Sequence, residues 1–99
     1  MKPRHTIGQT IKAIRKQRKL TQEDFGVVSS RTYLSTLERG LKNPTLDKLD
    51  EISQVMGIHP ATLVLLAYIS ELKIDDAGDV VDFVCNEARA LRKILGHDG

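Results

Sequence analysis

The sequence predicts an all-α fold of six helices. Apolar residues recur every three or four positions along most of the chain, and no segment alternates with the period of two that marks a half-buried strand. Residues that favour helix termini separate the apolar segments, so the joints between helices are short. A chain of 99 residues with 40% hydrophobic and 28% charged residues is large enough for one core and ordinary for a globular protein.

The first predicted helix begins at Thr6, where Gln9 completes the spacing of a capping box. A second helix begins at Thr21, which is a good N-cap because Asp24 follows three residues later. The inward positions of these two helices are apolar: Ile7, Ile11, Ile14, Phe25 and Val28. The outer face of the first helix is basic, with Lys12, Arg15, Lys16, Arg18 and Lys19.

The third predicted helix follows the serine pair at 29–30, either of which can cap it. It runs to about Arg39 and turns Leu34 and Leu37 inward. Gly40 then stands where a helix end favours glycine, because glycine enters the left-handed region freely.

Three further helices complete the chain. Thr45 caps the fourth, and Gly57 ends it. His59-Pro60 opens a fifth, which is apolar on most sides, and Asp75-Asp76 caps a sixth that Gly96 stops. The apolar positions of the fourth helix are Leu46, Leu49, Ile52 and Val55; those of the fifth are Leu63, Val64, Leu65, Leu66, Tyr68, Ile69 and Leu72; and the stripe of the sixth is Val80, Val84, Ala88, Leu91 and Leu95, widened by Val81, Phe83 and Ile94.

Charge divides the chain into two unlike parts. Residues 1–44 contain ten Lys or Arg against three Asp or Glu, whereas residues 45–99 contain five against ten. A basic half is suited to a polyanion, and an acidic half stays away from one. We expect a domain at residues 1–72 that binds the polyanion and a separate C-terminal helix at residues 73–99.

Several functional classes are disfavoured. The longest apolar run, residues 63–69, is too short to cross a bilayer, and no signal peptide is visible, so we expect a cytoplasmic protein. The single cysteine, Cys85, is interpreted as a small interior or interface residue rather than a redox sensor. The three histidines are scattered, and no metal spacing, phosphate loop or nucleophile beside a base is present, so we expect no catalysis, metal, cofactor or small-molecule ligand.

Three segments carry a family resemblance. They are residues 21–25 (TQEDF), 33–40 (YLSTLERG) and 43–46 (NPTL), with Ile14-Arg15 upstream. Together they resemble the Xre (Cro/CI phage-repressor-like) helix-turn-helix family over about residues 6–66. The resemblance implies a five-helix DNA-binding domain, to which this chain adds a C-terminal amphipathic helix, and a transcriptional regulator whose third helix enters the major groove.

The resemblance also assigns site residues. Family members read bases from the positions of Arg31, Thr32 and Thr36. Arginine is well suited to this, because its fork can bond both O6 and N7 of guanine, although Arg31 touching only phosphate is the alternative. Contacts to the DNA backbone are expected from Gln22, Ser30, Lys42 and Asn43, with capping alone as the alternative for Gln22.

Arg15 and Glu38 match a family pair that joins the first and third helices and aims the arginine at DNA, so Arg15 also counts among the backbone contacts. The alternative is two unrelated surface charges.

One segment departs from the family pattern. Between Phe25 and Leu34 this chain is two residues shorter than usual, and the glycine of the turn is missing. Either the second helix ends early, or the turn is tighter and Gly26 permits a close helix crossing. The first residue of the third helix therefore stays open at this point.

The last two helices carry more apolar surface than the DNA-binding domain needs. We expect them to form a homodimer, which is the commonest closed assembly. The interface residues are predicted to be Leu65, Ile69, Val80, Val84, Leu91 and Leu95. The alternatives are packing of the sixth helix on the fifth within one chain, and an antitoxin-like module that binds a different protein.

Overall fold

The computed structural model describes residues 3–70, 72 and 74–96. Over these residues every regular element is helical, which confirms the predicted all-α class. Five α-helices are present: α1 (Pro3–Gln17), α2 (Arg31–Glu38), α3 (Leu46–Met56), α4 (Pro60–Ile69) and α5 (Ile74–Leu91). Two single-turn 3₁₀ helices, Gln22–Phe25 and Arg92–Leu95, stand before α2 and after α5.

The hydrophobic core lies between the first four α-helices and the first 3₁₀ turn. Its buried members are Ile11, Phe25, Leu34, Leu37, Leu49, Ile52, Met56 and Leu63. No described side chain of α5 belongs to this cluster, and α5 packs against α4 instead. The core of the described chain is therefore closed before α5 begins, which suits a separate role for that helix.

Side-chain caps define where the predicted helices begin. The Thr21 hydroxyl accepts a hydrogen bond from the amide of Asp24 (3.3 Å), and the Asp24 carboxylate accepts one from the amide of Thr21 (2.7 Å). Ser30 caps α2 in the same way by accepting from the amide of Tyr33, and Thr45 caps α3. These three predicted caps are confirmed.

Two predicted helix starts were wrong. Helix α1 begins at Pro3 rather than at Thr6, because proline is well tolerated at the first helical position and extends the helix upstream. Helix α5 begins at Ile74, so Asp75-Asp76 lies inside its first turn instead of capping it. Acidic residues in the first turn of a helix complement the positive end of its dipole.

Two predicted interior residues are exposed. Leu46 is 81% exposed. Residues three positions apart are offset by about 60° around the helix axis, so the ends of a three-residue repeat point away from the core. Met56 takes the fourth inward position of α3 in its place. Cys85 is also exposed, so of its two predicted places the interior of the chain was wrong, and an interface stays a prediction.

The lengths and hydropathies of the described helices bear on whether one of them could cross a bilayer. No single one is both long and apolar enough to cross a membrane. The pair α3 and α4 meets the length and composition only when taken together, and these two helices are bent by 99°.

Gly8 is a structural residue that the sequence analysis missed. It is buried on α1, where this helix crosses the end of α2. A Cβ atom at this position would overlap the backbone carbonyl oxygen of Leu37. The close approach of α1 to α2 therefore requires glycine.

We predict opposite effects of alanine at two helical glycines. Gly8→Ala forces α1 away from α2 and should lower the free energy of unfolding by about 1–3 kcal/mol, as overpacked sites do. Gly78→Ala is the control, because a Cβ on Gly78 in α5 meets nothing within 4 Å. It should raise stability by about 0.5–1 kcal/mol through helix propensity. Urea unfolding followed by circular dichroism measures both, and equal effects would contradict the close approach.

Candidate nucleic-acid interface

Helix α2 is short, its outer face is polar, and its inner face fixes its orientation in the domain. Leu34, Leu37 and Glu38 are buried and fix the inner side, whereas Arg31 and Thr32 are exposed at the start of the helix. A shallow depression of about 320 Å³ opens on the outer side. Its lining residues are Gln22, Arg31, Thr32, Ser35 and Arg39.

Two of these residues, Ser35 and Arg39, were missed by the sequence analysis. They follow Arg31 by four and eight positions, and residues at such spacing share one face of a helix. This spacing is present in the sequence and could have identified both residues as part of the surface that begins at Arg31. Arg39 adds a second exposed guanidinium to the surface that Arg31 begins.

Thr36 lies toward the side of this face and is half-buried. Its hydroxyl donates a 2.8 Å hydrogen bond to the carbonyl oxygen of Thr32. The hydroxyl oxygen can still accept a hydrogen bond, and the methyl group can still contact a thymine. A base contact from Thr36 therefore stays a prediction.

Arg15 and Glu38 form the predicted pair between α1 and α2. The Arg15 Nε donates to Glu38 Oε2 at 2.7 Å, and Nη2 donates to Oε1 at 3.0 Å, so the contact is bidentate. Both residues are buried, with 9% and 6% of their surfaces exposed. The hydrogen bond to Glu38 raises the pKa of Arg15 above its ordinary value, so the guanidinium stays charged.

Two further hydrogen bonds complete this network. Gln22 donates from Nε2 to Glu38 Oε1 at 3.2 Å, and Arg15 Nη1 donates to the carbonyl oxygen of Leu20 at 3.0 Å. Gln22 therefore holds the buried carboxylate, a role that the sequence analysis did not consider. The contacts of Arg15 and Gln22 with a phosphate stay predictions.

The remaining predicted backbone contacts are solvent-exposed. Lys42 and Asn43 are exposed on the turn after α2, and Ser30 is exposed at its N-terminus, where it also caps the helix. The Lys42 ammonium lies 5.8 Å from the centre of the Tyr33 ring. Lys12, Lys16 and Lys19 are exposed on and after α1.

The described residues offer no group of three or more His, Cys, Asp or Glu side chains that could hold a metal ion.

The profile of the helix-turn-helix family matches residues 11–63, which is more than half of the chain. The chain belongs to this family, in its Xre (Cro/CI-like) form. The matched region spans α1 from Ile11, the 3₁₀ turn, α2, α3 and the start of α4. It therefore contains the cluster of buried core residues from Ile11 to Leu63 and excludes α5.

Three relatives are transcriptional regulators or control proteins by name. An immunity repressor protein of Bacillus phage phi105 is 44% identical over 61 residues, which cover 60% of this chain and 42% of that protein. The uncharacterized HTH-type transcriptional regulator y4dJ of Sinorhizobium fredii is 39% identical over 66 residues, 65% of this chain and 86% of that protein. Control protein C.BamHI of Bacillus amyloliquefaciens is 36% identical over 61 residues, 59% of this chain and 75% of that protein.

The chain thus spans less than half the length of the phage repressor. No solved structure matches it. The family is a class of DNA-binding regulators and not a class of enzymes.

The structure explains how this helix-turn-helix accommodates a shorter turn. Its first helix element is a single 3₁₀ turn that ends at Phe25, and Val28 follows it as a half-buried loop residue. Of the two alternatives, the early end of the helix is correct, and Ser30 is the residue before α2. A close helix crossing at Gly26 was wrong, because this residue is exposed and a Cβ there would meet only the carbonyl oxygen of Glu23.

Helices α4 and α5 of this helix-turn-helix protein enclose an apolar groove of about 520 Å³. It is lined by Ala61, Val64, Leu65, Tyr68, Val80 and Val84. The predicted interface residues Leu65, Ile69 and Val80 are half-buried, whereas Val84, Leu91 and Leu95 are exposed at 42%, 51% and 75%. The first part of α5 therefore packs on α4, while its later part and the 3₁₀ turn after it expose apolar side chains.

Proposed function

We propose that the protein binds a palindromic DNA operator as a homodimer and regulates transcription in the cytoplasm, with α2 in the major groove. The observation that carries this is the presentation of α2. Its N-terminus is capped by Ser30, its inner face is fixed by the Arg15–Glu38 pair, and its outer face offers Arg31 and Thr32 to solvent. A short polar helix end of this kind fits the major groove.

Roles follow from chemistry and position. We assign base reading to Arg31, Thr32 and Thr36, and we add Ser35 because it lines the depression beside Arg31 and Thr32. Arg39 stands at the C-terminal end of α2, where a guanidinium is better placed for phosphate than for a base edge. We assign backbone contacts to Gln22, Ser30, Lys42 and Asn43, and we treat Arg15 as the residue that positions α2.

Electrostatics supports a polyanion as the partner. The basic charge lies in the half of the chain that contains α1 and α2, whereas the acidic half contains α3, α4 and α5. Contacts with phosphate release counterions, so affinity should fall steeply as salt rises. The names of the relatives, an immunity repressor and a control protein, agree with a regulatory role on DNA.

We predict different losses from two substitutions. Arg31→Ala should cost about 1–3 kcal/mol at one base pair and remove the preference there. Lys42→Ala should weaken binding to all sequences alike and reduce the slope of log affinity against log salt by about one. Fluorescence anisotropy with duplexes that differ at single base pairs measures both. An unchanged preference at every base pair in Arg31→Ala would contradict its role as a reader.

The homodimer is proposed from the apolar surface at the end of α5 and on the 3₁₀ turn that follows it. Leu91, Ile94 and Leu95 are each at least half exposed, and a stripe of this kind rarely stays open to water. A two-fold dimer covers it and places two α2 helices about 34 Å apart, so that they read an inverted repeat with centres about ten base pairs apart. An antitoxin-like role would cover the same stripe with a different protein.

We predict that Leu91→Glu produces a folded monomer that binds a half-site weakly, because a carboxylate in an apolar interface is left unpaired. Asn86→Glu is the matched control, since it adds the same charge on the polar side of α5 and should leave the dimer intact. Sedimentation velocity of the pure proteins measures the assembly. A monomeric wild-type protein would favour the partner-protein role. If Leu91→Glu remained a dimer, the dimer interface would not include Leu91, which would contradict the proposed interface.

A further inference from the structure

Glu23 is an exposed acid beside the proposed reading surface. It lies on the 3₁₀ turn, and its Oε1 accepts a hydrogen bond from Nη1 of Arg31 at 3.4 Å. Both side chains are largely exposed, at 76% for Glu23 and 72% for Arg31. The pair joins the turn to the first residue of α2, where a base-reading arginine is proposed to stand.

Its acidic neighbours have different roles. The Asp24 carboxylate accepts a hydrogen bond from the amide of Thr21. Glu38 is buried and accepts hydrogen bonds from Arg15 and Gln22. Glu23 neither caps a helix nor lies in the core, and near a polyanion its charge opposes binding. Among the residues that the structure describes, its side-chain contact is the one with Arg31.

We propose that Glu23 is a positioning residue that determines how selectively Arg31 reads DNA. The inference rests on the proposed function. An unrestrained arginine can turn to the nearest phosphate, which every sequence offers and which carries no base information. Glu23 holds one guanidinium nitrogen and draws the side chain away from the phosphates. The other N–H groups stay free for the two acceptors of a guanine, because arginine has five donors in a fixed fork.

The proposal predicts a change in selectivity rather than in folding. Glu23→Gln removes the charge that holds Arg31, so binding to unrelated duplex DNA should strengthen. The preference at the base pair read by Arg31 should fall about two- to five-fold, the range expected from one exposed ion pair. Glu23→Asp keeps the charge but is one methylene shorter, so it should lose the same preference without the gain in unspecific affinity.

The matched control is Glu51→Gln. Glu51 is also an acid in an ion pair, with Lys48 on α3 at 3.1 Å; its side chain is 46% exposed, and it lies outside the reading surface. Its removal should change affinity for all duplexes equally. A second control places Glu23→Gln in the Arg31→Ala background, where it should no longer alter any base preference.

The probe is a duplex selected by the wild-type protein from random DNA, with variants at each base pair. Equal preference in wild type and in Glu23→Gln would overturn the positioning role while leaving DNA recognition standing. An equal fall of preference in Glu51→Gln would overturn it too, because the effect would then be general charge. A wild type that selects no sequence would overturn the proposed function itself.

Discussion

Glu38 is a buried carboxylate on the helix that the protein is proposed to insert into DNA, and its pairing with Arg15 is the constraint on which this surface depends. An unpaired carboxylate at this depth would cost several kcal/mol. Arg15 supplies two hydrogen bonds from α1, and Gln22 supplies a third from the 3₁₀ turn. Three chain segments therefore meet at one side chain, and the angle of α2 is set by that meeting.

A steric constraint acts beside this electrostatic one. Gly8 lets the backbone of α1 approach the end of α2 at Leu37, next to Glu38. The short 3₁₀ turn also helps to position α2, because only a brief loop separates it from Ser30, the residue that caps α2. Packing, caps and an ion pair thus fix the inner side of α2. Its outer side is therefore available for contacts with another molecule.

Local signals in the sequence predicted much of this. The caps at Thr21, Ser30 and Thr45 depend on residue types one turn apart, so the sequence contains them directly. The Arg15–Glu38 pair came from the resemblance, not from spacing, since 23 residues separate the partners. Gly8 and the place of Gln22 depend on how helices cross, which no local pattern encodes. Ser35 and Arg39 were missed although simple helical spacing pointed to them.

The double-variant cycle on Arg15 and Glu38 tests the central constraint most directly. Arg15→Met and Glu38→Met each leave one buried charge without its partner, so each should lower the free energy of unfolding by about 3 kcal/mol. The double variant buries no unpaired charge and should lose less than the sum by more than about 1 kcal/mol. Losses that add to within about 0.3 kcal/mol would show that the two residues act independently and would contradict the account.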